Sequence, residues 1–215
     1  MRCVNNKNNT FGIKKTLFLL YRIFFRSMIA SMKKYLLPLL CLFVANSAIA
    51  DSNVMFGDKI NSVSMYATQS VGSGSLLKLV QPGLWDFYPQ NFVMFQYSQP
   101  IQFFRLDSRL NLNVGQNFAY RNSKGLSFMG IGISVDTAIL QYHGWYMGIG
   151  IGPFMRHKRD RWVESRLVFK EKFFIGKNIS DSWYVELSTI HFSNGNFTPR
   201  NEGFNFAGIA VGYKF

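Results

Sequence analysis

Hydrophobic and polar residues alternate with a period of two through most of the chain after residue 51. The segment FMGIGISV at 128–135 places large apolar side chains at its odd positions and mostly glycine or serine at its even ones. WYMGIGIGPFM at 145–155 repeats this arrangement. Such alternation is typical of β-strands with two unlike faces, and no segment after residue 51 has the 3.6-residue period of a substantial helix. The pattern therefore predicts an all-β protein.

The segment 103–118 indicates what the second face contains, because leucine and valine alternate there with Arg109, Asn111 and Asn113. A soluble sheet could show the same alternation. A narrow, enclosed lumen suits the glycine-rich faces of the neighbouring segments better, and in a membrane barrel the apolar face meets lipid while polar residues fill the interior. We therefore predict an eight-stranded antiparallel transmembrane β-barrel of the bacterial outer membrane.

The eight predicted strands lie near 59–68, 89–99, 102–117, 126–136, 143–155, 162–176, 182–193 and 203–215. The segment SLLKLVQPGLW at 75–85 competes for one of the first two places. A barrel of this size is filled by side chains and is too narrow for a channel. The charged residues expected to fill it as ion pairs are Arg105, Asp107, Arg109, Glu164, Arg166, Lys170, Lys172 and Glu186.

The first 50 residues have the features of an export signal. Met32, Lys33 and Lys34 precede an apolar stretch, and the small-x-small sequence AIA at 48–50 forms a cleavage site before Asp51. We therefore predict a cleaved region at 1–50, an N-terminal extension plus a signal peptide, and a barrel domain at 51–215. The net charge of +13 would fall to +5, since residues 1–50 hold eight Lys/Arg and no acidic residue. Both cysteines lie in the removed part, so we expect neither disulfide nor thiol chemistry.

The chain ends on an aromatic residue, Phe215, with Tyr213, Val211 and Ile209 at every second position before it. This ending resembles the assembly signal of bacterial outer-membrane barrels. It predicts the barrel-assembly machinery as a partner.

A polar group interrupts the lipid-facing side of the seventh predicted strand. His191 and Ser193 share the parity of Trp183 and Leu187, which places them on that side at the outer end of the strand. A hairpin centred near residue 198 would bring Asn205 opposite His191. A serine, a histidine that can take its proton and an amide that can orient the imidazole form an acyl-transfer group.

The segment HFSNGNFTPRNEGFN at 191–205 resembles the H-x-S-N motif and the following Asn-x-Gly loop of the outer-membrane lipid A 3-O-deacylases of the PagL type. The resemblance implies a carboxylic ester hydrolase that removes the acyl chain at position 3 of lipid A, with Ser193 as nucleophile and His191 as general base. The resemblance also implies that the protein is located in the outer membrane and that its partners are lipopolysaccharide and outer-membrane lipids. The residues implied as oxyanion or loop support are Asn194, Gly195, Asn196 and Asn201.

Asn205 departs from the best-known members of that family, which have a glutamate at this position. A carboxylate orients the imidazole and stabilises its charged form, whereas asparagine can only orient it. The runner-up interpretation is therefore a non-enzymatic small outer-membrane barrel, structural or adhesin-like, with a decayed site. An outer-membrane acyltransferase fits less well, because no amphipathic helix follows residue 51.

Other chemistry finds little support in the sequence. The three histidines are scattered without metal-ligand spacing, and no phosphate-binding loop is present, so we expect no metal, no cofactor and no nucleic acid. His143 and His157 receive no role. The basic loop RHKRDR at 156–161 is either a solvated hairpin tip or a contact for anionic lipid phosphates. A homodimer is a further arrangement that the sequence leaves open.

Overall fold

The computed structural model describes residue 56 and the ranges 60–119, 127–160 and 162–215. The predicted N-terminal extension and signal peptide, 1–50, lie outside the described residues, as does the cleavage site before Asp51. The described part contains eight strands. They are β1 (Ser62–Ser73), β2 (Gln90–Phe103), β3 (Leu106–Ala119), β4 (Phe128–Tyr142), β5 (Trp145–Arg156), β6 (Leu167–Asn178), β7 (Trp183–Ser193) and β8 (Phe204–Lys214).

The strands form one closed barrel in the order β1 to β8, and every neighbouring pair is antiparallel, including β1 with β8. Closure leaves no strand edge unpaired, which is the arrangement a sheet needs in hydrocarbon. The predicted fold class is confirmed. The predicted bounds of β6 are wrong at the start, because the strand begins at Leu167 rather than at residue 162. Residues before it bend inward to present the carbonyls of Val163 and Ser165 to the Arg156 guanidinium.

The two ends of the barrel differ in their connections. The turns at 104–105, 143–144 and 179–182 are short and lie at the end that also holds the beginning of β1 and the end of β8. The longer connections lie at the opposite end. One of them, between β1 and β2, contains two short 3₁₀ helices, Leu76–Leu79 and Pro82–Leu84, so the segment that competed for a strand position is not a strand. No helix in the described ranges is long and apolar enough to span a membrane.

The alternation predicted for the two faces is confirmed. In β4, Met129, Ile131 and Ile133 are exposed on the outer surface, while Ser134 and Asp136 are buried in the lumen. Lumen glycines make room for aromatic rings: a Cβ on Gly212 or on Gly176 would collide with the ring of Tyr184 or of Tyr146, respectively. The barrel is therefore filled with side chains, as its size requires.

A buried ion cluster lies in the middle of the lumen. Glu186 accepts hydrogen bonds from Arg109 at 2.7 Å and from the Tyr66 hydroxyl at 2.8 Å, and Lys172 lies 3.7 Å from it and also pairs with Asp136. Aromatic clusters lie on both sides of these charges. Of the other charged residues predicted to fill the lumen, Lys170 is buried and Asp107 is half-buried. The prediction is wrong for three residues that are exposed in turns or loops: Arg105, Glu164 and Arg166.

Candidate functional site

The last three outward-facing residues of β7 differ from the rest of that face. Trp183, Val185 and Leu187 are 41–64% exposed on the outer surface. The residues that follow at the same parity are only 6–9% exposed, and all are polar: Thr189, His191 and Ser193. A group of polar side chains therefore lies on the outside of the barrel but is covered.

The cover is the β1–β2 connection, residues 74–89, which we call the β1–β2 cover. Its first 3₁₀ helix contacts β7 and β8. The hydroxyl of Thr189 donates a 2.6 Å hydrogen bond to the carbonyl of Leu79, and the N–H of Gly74 donates to the carbonyl of Glu202. These bonds attach the β1–β2 cover to the outer wall beside Thr189 and the end of the β7–β8 loop.

His191 and Asn205 are partners in the β7–β8 ladder, as the hairpin prediction required. His191 Nδ1 lies 2.8 Å from Asn205 Oδ1, and Asn205 Nδ2 donates to the carbonyl of Gly72 at 3.3 Å. The bond to Gly72 identifies Nδ2 as the amide nitrogen of Asn205, so the oxygen Oδ1 faces His191. Because an amide oxygen can only accept a hydrogen bond, the proton is on Nδ1 of His191. This leaves Nε2 of His191 as a free acceptor, which is the form that a general base needs.

Ser193 lies two residues beyond His191 on the same face, at a Cα spacing of about 6.5–7 Å for an extended strand. Its hydroxyl donates to Glu171 Oε1 at 3.4 Å. That distance is long for an O–H···O bond, so the contact is weak. The structure thus brings His191, Asn205 and Ser193 to one covered site, with the serine turned toward Glu171 rather than bonded to the imidazole.

The loop after β7 is held by Asn194, which is fully buried. Its backbone N–H donates to Asn201 Oδ1 at 2.8 Å, and its side-chain amide donates to the carbonyl of Arg200 at 2.9 Å and to Thr198. The side-chain oxygen of Asn194 accepts the N–H of Asn196 at 2.9 Å. The residue predicted to support the loop therefore does bond across it.

Two of the oxyanion candidates are engaged within the loop itself. The N–H of Asn196 is bonded to Asn194, and the side-chain amide of Asn201 donates to Asn196 Oδ1 at 2.9 Å. Gly195 and Asn196 both have left-handed backbone conformations, with φ of 61° and 64°. Successive amides in such a turn point toward one side. Gly195 therefore stays a prediction as an oxyanion donor.

A family model described as lipid A 3-O-deacylase (PagL) matches residues 91–214, which is more than half of the chain and includes the whole site on β6 to β8. The chain belongs to the lipid A 3-O-deacylase (PagL) family. The family and the fold place it in the bacterial outer membrane. No curated protein matches the sequence.

Three solved structures are similar to this chain at low sequence identity. The N-terminal β-barrel domain of Pseudomonas aeruginosa OprF is 10% identical, with 74% of this chain and 99% of that chain covered and a TM-score of 0.51. The outer membrane enzyme PagL is 14% identical over 71% of this chain and 97% of that one, with a TM-score of 0.44. Neisserial surface protein A is 10% identical over 72% and 97%, with a TM-score of 0.48.

Glu171 belongs to the candidate site but is not among the residues predicted from the sequence. It lies on the outward face of β6, directly opposite His191 in the β6–β7 register, and contacts Ser193. A signal was present, because an acidic residue falls at the lipid-facing parity between the lumen lysines Lys170 and Lys172. Metal binding has no comparable support, since the described ranges contain no group of three or more His, Cys, Asp or Glu that could hold an ion.

The basic loop of this PagL-family chain is only partly available to a ligand. Arg156 is 1% exposed, pairs with Asp160 and lies over the ring of Phe128 at 5.1 Å. The expectation that Arg156 could contact lipid phosphates is therefore wrong, because its guanidinium is used to hold the loop. Lys158 and Arg159 are exposed and remain candidates for such a contact.

Proposed function

We propose that this protein is an outer-membrane esterase that hydrolyses the acyl chain ester-linked at position 3 of lipid A. The observation that carries the proposal is the hydrogen bond of 2.8 Å between His191 and Asn205 on the outer wall, with Ser193 next along the same face. A Ser/His pair exposed to the lumen could not meet a membrane lipid, whereas this one lies on the lipid-facing side. Membership of the lipid A 3-O-deacylase (PagL) family supports the substrate.

In the proposed reaction, His191 Nε2 takes the proton of Ser193 as its Oγ bonds to the ester carbonyl carbon. The serine hydroxyl must first turn from Glu171 to the imidazole, which breaks only the weak bond at 3.4 Å. Asn205 holds Nδ1–H and so keeps the tautomer in which Nε2 accepts. The N–H of Gly195 is proposed to stabilise the oxyanion of the tetrahedral intermediate.

Collapse of that intermediate breaks the bond to the sugar oxygen, which leaves with the proton from the imidazolium. Water then attacks the acyl-serine with His191 as base, and the free fatty acid is released. Asn194 and Asn201 hold the loop that carries the Gly195 amide, and Asn196 is part of the same network. Lipopolysaccharide and outer-membrane lipids are thus the proposed partners. Assembly through Phe215 and a homodimer stay predictions.

The second candidate is a non-enzymatic barrel with a decayed site. It draws on two observations: the serine is bonded to Glu171 in this structure, and a neutral asparagine stands at position 205. This candidate differs from the first in one measurable respect, since it gives His191 and Ser193 no chemical task.

The test is expression in an outer membrane followed by mass spectrometry of lipid A. We expect loss of one 3-hydroxyacyl chain with the wild-type protein, and a drop of at least about 1,000-fold with Ser193→Ala or His191→Ala, since members of a catalytic group fail together. Ser188→Ala is the matched control, because Ser188 is a buried lumen serine of the same strand. Unmodified lipid A with folded wild-type protein would favour the non-enzymatic barrel.

A further inference from the structure

Glu171 is an acidic residue that lies between apolar residues on the outward face of β6. Its neighbours at the same parity on β6 are Phe169, Phe173 and Ile175, whereas Lys170 and Lys172 are buried in the lumen. A charged side chain on the lipid-facing side destabilises a barrel, and ionisable residues kept in such places usually serve a function. The position of Glu171 therefore needs an explanation beyond packing.

The contacts of Glu171 point to the reaction centre. It is the direct cross-strand partner of His191, and side chains so paired have Cβ atoms about 4.5–5.5 Å apart. One carboxylate oxygen, Oε1, accepts the Ser193 hydroxyl at 3.4 Å. The other, Oε2, is buried and has no hydrogen-bond partner within the described ranges. The carboxylate thus lies beside the proposed nucleophile and the proposed base, with an oxygen to spare.

A negative charge beside His191 would favour the reaction, and Asn205 cannot supply one. When His191 takes the serine proton it becomes a cation, and the amide at position 205 only fixes its orientation. The buried carboxylates of Asp136 and Glu186 are on the opposite side of the wall, inside the lumen, where they pair with Lys172 and Arg109. Glu171 is on the same side as the imidazole.

We propose that Glu171 is the carboxylate of this active site and stabilises the His191 imidazolium by its charge. The inference rests on the esterase function proposed above. The ionised form of Glu171 is the one that acts in this reaction, and it exchanges no proton with Ser193 or His191. The serine proton moves to His191 Nε2 and then to the leaving sugar oxygen. Two residues accordingly share the task of a single carboxylate. Asn205 sets the tautomer of His191, and Glu171 provides the negative charge.

The first test is Glu171→Gln, which keeps the shape of the side chain and removes its charge. We expect kcat for lipid A deacylation to fall about 100-fold, typical for loss of one electrostatic group, while KM changes by less than about twofold. Glu171→Asp should recover part of the rate. The matched control is Glu202→Gln, an exposed loop glutamate near the site, which should leave kcat unchanged.

The second test combines Glu171→Gln with Asn205→Glu. A carboxylate introduced at position 205 would supply the missing charge, so the loss caused by Glu171→Gln should shrink from about 100-fold to less than about fivefold. An equal loss in both backgrounds would show that the two positions do not share a task. A faster enzyme after Glu171→Gln would show that this residue restrains Ser193, and either result overturns the inference.

Labelling of Ser193 by a fluorophosphonate separates this inference from the proposed function, because the probe needs an activated serine but no lipid A. Labelling that depends on Glu171 without any deacylation would support the inference and contradict the lipid A substrate. Absence of both labelling and deacylation in the wild-type protein would contradict both. Heat-modifiable migration on gels verifies that each variant forms a barrel.

Discussion

Gly203 offers a direct test of whether the observed position of the His191 imidazole matters. A Cβ at position 203 would lie 2.6 Å from His191 Cε1 and 3.1 Å from Nε2, and 3.2 Å from the carbonyl oxygen of Gly74. Ordinary contacts of such an atom are 3.4–4 Å. In Gly203→Ala the ring must therefore move by roughly 1 Å from its observed position.

The expected effect can be divided into strain and displacement. Gly203 has φ of +65°, and an alanine in this left-handed conformation destabilises the fold by about 1–2 kcal/mol. A 1 Å misplacement of a reacting group lowers the rate about 100-fold, or about 2.7 kcal/mol in activation free energy. Most of the barrel's contacts are untouched, so the variant should fold while losing most of its activity.

Gly144→Ala is the matched control for the strain alone. Gly144 has φ of +76° in the turn between β4 and β5, and a Cβ there would meet nothing closer than the Asn178 carbonyl oxygen at 3.7 Å. It should lose the same 1–2 kcal/mol of stability and keep its activity within about twofold. Activity is measured as the rate of acyl-chain loss from lipid A, and stability by urea unfolding in detergent.

Two results would refute the reasoning about Gly203. A folded Gly203→Ala protein with wild-type activity would show that the imidazole does not act from its observed position. An equal loss of activity in Gly144→Ala would show that reduced stability, and not displacement of His191, accounts for the effect.

Three further predictions follow from other parts of the structure. Glu186→Ala removes the acceptor of three lumen hydrogen bonds and should lower the free energy of unfolding by about 3–5 kcal/mol in urea titrations; a loss below 1 kcal/mol would contradict a stabilising ion cluster. Thr189→Val removes the hydroxyl that donates a hydrogen bond to the Leu79 carbonyl, a bond that contributes about 1 kcal/mol to stability. Limited proteolysis within 74–89 should become faster, and unchanged cleavage would mean that this bond does not hold the β1–β2 cover. Lys158→Glu with Arg159→Glu should raise KM for lipid A several-fold at constant kcat, and an unchanged KM would exclude a contact with its phosphates.

The strands were predictable because a membrane barrel imposes a strict period of two. Lipid on one side and a filled lumen on the other select unlike residues at successive positions, as in β4. The β1–β2 connection escaped this rule. Its apolar residues favoured a strand by composition, but they serve to cover β7 and β8, and Leu79 is the one buried residue of its 3₁₀ helix. Period alone does not distinguish a segment that crosses the membrane from one that lies against the wall.

The pairing of His191 with Asn205 was predictable for a local reason, since the two strands are joined by one loop and parity settles which residues face outward. Glu171 was not found in this way. Its relation to His191 depends on the β6–β7 register, which the turn at 179–182 sets and which parity alone does not give. The bend before β6 was not predictable either, because it depends on hydrogen bonds from Arg156, a residue of β5, to the carbonyls of Val163 and Ser165.

A reaction centre on the lipid side of a barrel must satisfy its polar groups where water is scarce. Here backbone carbonyls satisfy some of these groups: the carbonyl of Leu79 accepts a hydrogen bond from the Thr189 hydroxyl, and the carbonyl of Gly72 accepts one from the Asn205 side-chain amide. The same 3₁₀ helix that presents the Leu79 carbonyl inward has Leu76 and Leu77 more than half exposed on its outer side. One segment therefore offers hydrogen bonds to the site and an apolar surface to lipid. It follows that the geometry at His191 depends on the β1–β2 cover as well as on β7 and β8.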